Sequence, residues 1–439
     1  MKSLALALTV MAACNSSSSQ SLAPSTPQTT PSASDTTTTA ATPPAPTSTI
    51  AAPATDAVRS AKPTAQAINA FNGDLYAALK SQPGNLIYSP ASIESALAMT
   101  SAGARGQTAT EMAKVLHLPV DATKAADSFS ALLASWAQTD GGGPVLTVAN
   151  KLWVQQGYPL LPAFSTMTQT QYFAGADLLD FKKAATSAQA INAWVAQSTN
   201  GKITTLISPK NIDDSTRLVL TNAIYFKGTW SEPFEKSSTQ DGAFTTAGDT
   251  KVTVPLMNHT FEARNYADLG NAQIIDLPYK GTSAREIVMT IVLPKIGTPL
   301  SALEAGLTSK QVDSWLASEK AVPVQVTLPR FKAEQMISLG QTLIAMGMPT
   351  AFSPKADFSG ISASKESLSI GAVLHKATIE VDEIGTVAAA ATAVFATVGS
   401  AAPAPAVPFR ADHPFLFFLR DKTSGATLFA GRVTDPSKT

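Results

Sequence analysis

The sequence predicts an α+β fold with antiparallel or mixed sheets, on three observations. Helical periodicities crowd the earlier part of the globular region, strand-like runs crowd the later part, and no regular β-α-β alternation links them. The third observation is compositional. Residues 15–63 are almost wholly Ser, Thr, Ala and Pro, with charges only at Asp35, Asp56, Arg59 and Lys62, and cannot bury enough apolar surface to offset their chain entropy. The globular region therefore runs over 64–439, and with 44% hydrophobic residues in the chain it holds one sizeable core or two small ones.

The first helix is expected over 65–81, where Ile68, Phe71, Leu75 and Leu79 recur at helical spacing before Pro83-Gly84-Asn85 stops it. Leu86-Ile87-Tyr88 is a short strand. Ser89-Pro90 opens a second helix with proline at its first position, where a backbone N–H has no helical partner to lose, and with Ile93, Leu97 and Met99 among its apolar residues. Further helices are expected over 108–116, 122–138, 162–173 and 187–198. Strands are expected over 146–154, 217–226, 286–293, 322–329 and 375–381, with a closing hairpin over 415–433 that turns at Thr423-Ser424-Gly425.

Charge and cysteine content exclude several functions. Lys plus Arg and Asp plus Glu number 32 each, so the formal charge is zero and no field draws a phosphate backbone. Nucleic acid is not expected as a partner. Cys14 is the sole cysteine, which leaves no disulfide, cysteine metal site or thiol nucleophile in the globular region. The four histidines, His117, His259, His375 and His413, are scattered without an HExxH pattern, and there is no GxSxG elbow, GxGxxG or P-loop pattern. No catalytic residue, metal or cofactor is expected.

At the N-terminus, Lys2, the apolar run 4–10 and Met11-Ala12-Ala13-Cys14 resemble an export signal that ends in a bacterial lipobox. The resemblance implies cleavage before Cys14, lipid on its thiol and Asn15 as the second mature residue; plain secretion with a stray thiol is the alternative. The expected segments are a signal over 1–14, a disordered tether over 15–63 with an r.m.s. reach of about 40 Å, and the functional domain over 64–439. A monomer is expected, on a bacterial cell envelope or surface.

One segment near the C-terminus stands out physically. No charged residue lies between Glu383 and Arg410, no proline between Thr386 and Ala402, and the run that begins at Val387 is small and apolar. Such a segment can add to a sheet as a strand, and its small side chains let it pass between existing strands without overpacking. Composition alone also fits an Ala-rich linker. Position argues against that reading, because the strand expected over 375–381 feeds directly into the segment and a core hairpin follows it.

Several motifs carry a family resemblance over essentially the whole globular region. They are NLIYSPASIESALAM at 85–99, GARGQT at 103–108, NAIYFKGTW at 222–230, FRADHPF at 409–415 and LFAGRV at 428–433, and together they resemble a serpin. The resemblance implies one domain of three sheets and about nine helices with an exposed reactive loop, and no enzyme activity. It places a hinge at EIGTVAAAATA, 383–393, with Glu383, Gly385, Thr386, Ala388, Ala389, Ala390 and Ala391 as its parts. Gly385 supplies the permissive backbone for a strand that bends out of a sheet and later straightens. Ile384 and Val387 depart from the acidic residues common there, but both are β-branched and suit a strand. Ser89, Ser92, Asn222 and His375 match a polar shutter beneath the large sheet, and Trp230 matches the breach where the loop first enters.

The mechanism implied is a suicide-substrate trap, in which a target serine protease forms an acyl complex with the loop and is carried off as the loop inserts. A non-inhibitory binding module and an unrecognised hydrolase are the alternatives. Counting seventeen residues from Glu383 places the reactive bond at Gly399-Ser400, and one fewer at Val398-Gly399. The segment up to Phe415 is about four residues longer than is familiar, an excess assigned to the Ala/Pro run 401–408. The segment offers no Lys or Arg, which excludes trypsin-like targets, and Phe395 lies too early for a chymotrypsin-like one. Small residues around 396–402 point to elastase-like or subtilisin-like targets.

Overall fold

A computed structural model of the chain describes residues 55–119, 121–137, 143–281, 285–364, 366–386 and 405–438. The first half of these residues alternates helices and strands: α1 (Thr55–Leu79), β1 (Leu86–Tyr88), α2 (Pro90–Ser101), α3 (Gly106–Val115), α4 (Ala122–Ala137), β2 (Val145–Gln155), α5 (Pro162–Gln171), β3 (Gly175–Leu179), α6 (Ala184–Ser198) and β4 (Leu218–Thr229). Strands then dominate: β5 (Gln240–Thr245), β6 (Lys251–Asp268), β7 (Ala272–Pro278), β8 (Ile287–Pro294), then α7 (Leu300–Ala305) and α8 (Ser309–Ala317), β9 (Lys320–Pro329) and β10 (Phe331–Ser338). The chain closes with α9 (Gly340–Met346), β11 (Ile370–Val381), β12 (Gly385–Thr386), β13 (Val407–Arg410), β14 (Phe415–Asp421) and β15 (Thr427–Val433). The helix-first, strand-later order expected of an α+β chain is observed.

α2 begins as its sequence dictates. Ser89 caps it in an extended conformation, its hydroxyl accepting from Ser92 N at 3.1 Å, and Pro90 takes the first position. All but the last of its residues are buried, because the helix lies between the two sheets' strands and the other helices.

A six-stranded sheet runs in the order β10-β11-β12-β4-β2-β3. β4 is antiparallel to β2 and parallel to β11, and it meets β11 directly from Leu218 opposite Ile370 to Ile224 opposite Ala377. Above Ala377 the two strands separate and β12 stands between them, pairing with both. One face of this sheet joins the main core. The other carries a second cluster in which Ile191 and Val195 of α6 sit over Ala149, Trp153, Val219, Ala223 and Leu374. The remaining strands form a nine-stranded network, β1-β15-β14-β8-β7-β6-β9-β13, with β5 on β6. The three sheets implied by the resemblance thus merge into two, because the 18-residue β6 pairs with β5, β9 and β7 in turn, through a register shift between Phe261 and Arg264.

Other boundaries differ from expectation. α1 starts at Thr55, inside the stretch expected to be a tether to 63, and it carries Pro63 within it. Small size explains this: Ala61 and Thr64 are buried, and Thr64 Oγ1 donates to Ser128 Oγ of α4 at 2.5 Å, so residues too small to signal a core still fit against a neighbouring helix. β3, β5, β6, β7, β10, β13 and the short helices α7, α8 and α9 have no counterpart in the sequence expectation. β10 illustrates why, since Lys332, Glu334, Gln335 and Met336 favour helix, while one face of the strand carries buried Phe331, Ala333 and Ile337 with half-buried Gln335 between the last two.

Candidate functional site

The polar residues singled out in the sequence converge on the seam between β4 and β11. His375 and Asn222 are directly opposed across the parallel pair, and Asn150 of β2 is opposed to Asn222 on its other side, so three polar side chains form a row across the sheet. α2 answers from below. Ser89 N donates to His375 Nε2 at 3.0 Å, which leaves the proton on Nδ1, and Nδ1–H donates to Asn222 Oδ1. Asn222 Nδ2 donates to Ser92 O at 2.8 Å and lies against Ser92 Oγ and Asn150 Oδ1, while Asn150 Nδ2 donates to Ser95 Oγ at 2.5 Å. Ser89 Oγ donates to Leu428 O of β15 at 2.5 Å, tying the row to the second sheet. Every member is buried, and burial pushes His375 down to about 3, so it is neutral.

Such a network is worth much when complete and costs much when half broken. It closes the seam up to Ala377 and no further. Asn150 and Ser95 belong to it, although the sequence reading missed them; the signal was a polar residue inside each of two expected buried elements.

At the upper end, β11 leaves the sheet at Asp382 and turns back. Asp382 Oδ1 accepts from Ile384 N at 2.8 Å and from Gly385 N at 3.1 Å, and Asp382 N donates to Gly385 O at 2.9 Å. This turn reverses the chain so that Gly385 and Thr386 pair antiparallel with Thr229 and Gly228, and Thr386 with Val381. Only glycine fits the first position. Gly385 has φ +154°, and a Cβ there would lie 2.0 Å from Gly228 O.

The turn is fixed by side chains. Glu383 is 1% exposed, and Arg330 Nε donates to its two oxygens at 2.8 and 2.9 Å, while Thr239 Oγ1 donates at 2.5 Å. Burial alone would raise this carboxyl, but the Arg330 and Thr239 bonds outweigh it and hold it below the usual carboxylate range. Trp230 Nε1 donates to Asp382 O at 2.9 Å, and its ring stacks on Tyr279 at 4.3 Å. Tyr279 Oη is in turn 2.6 Å from Thr386 Oγ1, and burial holds the Tyr279 hydroxyl well above its ordinary value.

The structure thus brings together Ser89, Ser92, Asn222 and His375 below, and Trp230, Glu383, Gly385 and Thr386 above, along one seam. Arg330, Thr239 and Tyr279 complete the upper group, and they carry no motif of their own in the sequence. Ala388, Ala389, Ala390, Ala391, Val398, Gly399, Ser400 and Cys14 lie outside the described residues. In the upper half of the seam β4 and β11 stand apart, and the two residues of β12 occupy the gap.

Residues 66–436 match the family model "Serpin (serine protease inhibitor)". The chain is 41% identical over 378 residues to an uncharacterized serpin-like protein of Thermococcus kodakarensis, covering 85% of this chain and 86% of that one. It is 38% identical to the leukocyte elastase inhibitor of Homo sapiens, covering 83% and 97% respectively. Among solved structures, a highly specific serpin of the insect Tenebrio molitor superposes with TM-score 0.76 at 33% identity, covering 85% of this chain and 98% of that one. Human thyroxine-binding globulin complexed with thyroxine superposes with TM-score 0.78 at 28% identity, over 86% and 99%.

Proposed function

The chain belongs to the serpin family, and from that premise we propose that it is a suicide-substrate inhibitor of serine endopeptidases. Members of this family are generally protease inhibitors and not catalytic enzymes. The observation that carries the reading is β12: Thr386 is buried in the sheet between β4 and β11, and small, uncharged residues follow it in the sequence.

In the proposed reaction the protease serine attacks the carbonyl of Gly399. The Gly399-Ser400 bond breaks, the Ser400 amine leaves with the C-terminal fragment, and Gly399 stays esterified to the protease. Residues after Thr386 then extend β12 down the seam, trading the His375–Asn222 contacts for a ladder on both sides and carrying the protease with them. New main-chain bonds drive this step, so the starting form is held kinetically above a more stable one. Val398-Gly399 is the alternative bond. The target is elastase-like or subtilisin-like, because the segment around 396–402 offers small side chains and no Lys or Arg.

We assign the protein to the outside of a bacterial envelope as a monomer, held through lipid on Cys14 and displayed on the polar stretch that follows. A fatty-acid analogue should label the chain and fail to label Cys14→Ala; equal labelling would overturn the anchor.

The inhibitory reading is tested by incubation with elastase-like, subtilisin-like, trypsin-like and chymotrypsin-like enzymes in parallel. A complex stable on denaturing gels with one of the first two, and a released peptide beginning at Ser400 or Gly399, is the expected result. Cleavage with no stable complex would favour a non-inhibitory binding module, and a stable trypsin complex would overturn both bond and target.

A further inference from the structure

Glu94 is a carboxyl in a place where carboxyls are rarely found. It lies on α2 between Ser92 and Ser95, is 0% exposed, and neither of its oxygens meets a hydrogen-bond donor. Its two neighbours on the helix engage Asn222 and Asn150 of the sheet, so Glu94, two residues from Ser92, projects from a different side of the same helix. Tyr172, just beyond the end of α5, is close enough to feel its charge; the Tyr172 hydroxyl is also buried and unpartnered, and its ring stands 5.7 Å from Phe129 of α4.

Among the described residues no cation offsets Glu94. The elements packed against α2 are α1, α3, α4, β2, β4 and β15, and no charged group on any of them acts on it; burial alone governs its protonation. Tyr172 is the titratable group it influences, and exposed Asp127 of α4 acts on that same tyrosine. An unpaired carboxylate in such surroundings is far less stable than the neutral acid.

We propose that Glu94 is a protonation gate on the seam: it is a neutral carboxylic acid in the closed form, and its ionisation displaces α2 and lets β4 and β11 part. The link is mechanical. To reach water, an ionised Glu94 must draw α2 away from its neighbours, and the same rigid helix carries Ser89, Ser92 and Ser95, which hold His375, Asn222 and Asn150. Rising pH therefore weakens the lower closure, and in an inhibitor it would shift the protein towards the open, insertion-ready seam. That last consequence rests on the inhibitory reading; the gate itself does not.

The test uses the full chain without protease. Hydrogen exchange is followed between pH 5 and pH 8 for wild type and Glu94→Gln, with Glu94→Met as a second variant should the first fold poorly. The wild-type to variant ratio of exchange rates cancels intrinsic chemistry. It should climb with pH, approaching about tenfold per unit, in peptides covering α2, β4 and β11, because opening releases one proton that the closed form holds. A ratio independent of pH would overturn the gate. A rise confined to other segments would overturn its link to the seam. Either failure leaves the covalent-complex experiment untouched, so the two readings fail separately.

Discussion

Thr386 Oγ1 lies 2.6 Å from Tyr279 Oη, and both residues are buried. The bond joins Thr386 of β12 to the residue that follows β7 of the second sheet. Its other supports are the Trp230 ring stacked on Tyr279 and Phe226 edge-on to it at 4.9 Å. β12 is thus held in the gap between β4 and β11 by a specific contact.

Removing one partner should cost more than removing both. Tyr279→Phe leaves the Thr386 hydroxyl buried without a partner, at a cost of about 1–3 kcal/mol, whereas Thr386→Val in the same background removes the orphan at nearly constant volume. Urea midpoints of the two single variants and the double variant give the coupling. Strictly additive effects would mean that the hydroxyl pair contributes nothing.

Under the proposed suicide-substrate mechanism, two substitutions should turn the protein from inhibitor into substrate. Thr386→Arg places a charge where the residue is 0% exposed, and Gly385→Ala places a Cβ 2.0 Å from Gly228 O. Both should expel β12, slow insertion, and give the acyl complex time to hydrolyse. The measurement is the ratio of cleaved chain to stable complex with an elastase-like enzyme. Unchanged complex yield for Thr386→Arg would sink the insertion mechanism.

The lower seam was legible in the sequence and the upper one only in part, for a physical reason. Ser89-Pro90 announces the start of α2 locally, while the family resemblance is what assigned Ser89, Ser92, Asn222 and His375 to the seam. Glu383 and Trp230 came from the same resemblance, Trp230 inside the motif at 222–230 and Glu383 at the start of the hinge it implies. Their partners did not, because Arg330 lies 53 residues from Glu383 and Tyr279 lies 107 from Thr386, and no local pattern encodes such distances. Strand β12 was hidden too. Two residues carry no periodicity, and what makes them a strand is the gap between β4 and β11.

Acid should open the seam through His375. Burial pushes its imidazole down to about 3, against roughly 6.5 in an unfolded chain, so between these values the unfolded form binds the proton and the folded form does not. Its stability contribution is complete above pH 6.5 and is lost as pH falls towards 3, at about 1.4 kcal/mol per unit. Protonation also leaves Nε2 unable to accept from Ser89 N. His375→Gln should flatten this limb of an unfolding-midpoint curve against pH. In the upper part of the window Glu94 has the opposite slope, so each residue must be judged against its own variant; a His375→Gln curve parallel to wild type would refute the assignment.

Alkali should act on His413, which sits between β13 and β14. Its Nδ1 is 3.0 Å from Asp412 Oδ1 and its Nε2 is 2.7 Å from Pro294 O, and since both partners are acceptors the ring must carry both protons to satisfy them. Burial works against that charge. The Asp412 carboxylate and the Pro294 carbonyl outweigh it and hold the imidazole above its ordinary value, while Arg410 Nε donates to the other Asp412 oxygen at 2.6 Å. A group raised on folding contributes stability that is complete below its unfolded value, near pH 6.5, and is lost as pH rises through the folded value. The clasp fastens the end of β8 to the turn between β13 and β14, and β13 is the strand by which the chain rejoins the sheet after the small, uncharged segment. Raising pH from 6 to 9 should therefore lower the unfolding midpoint of the wild type more than that of His413→Gln, and loosen β13 in hydrogen exchange before β14. The Glu94→Gln variant should lose only the share of pH dependence that Glu94 itself contributes and keep the share due to His413, because the two residues share no contact. Equal losses in wild type and His413→Gln would show that the ring is neutral and that one of its two bonds is not made.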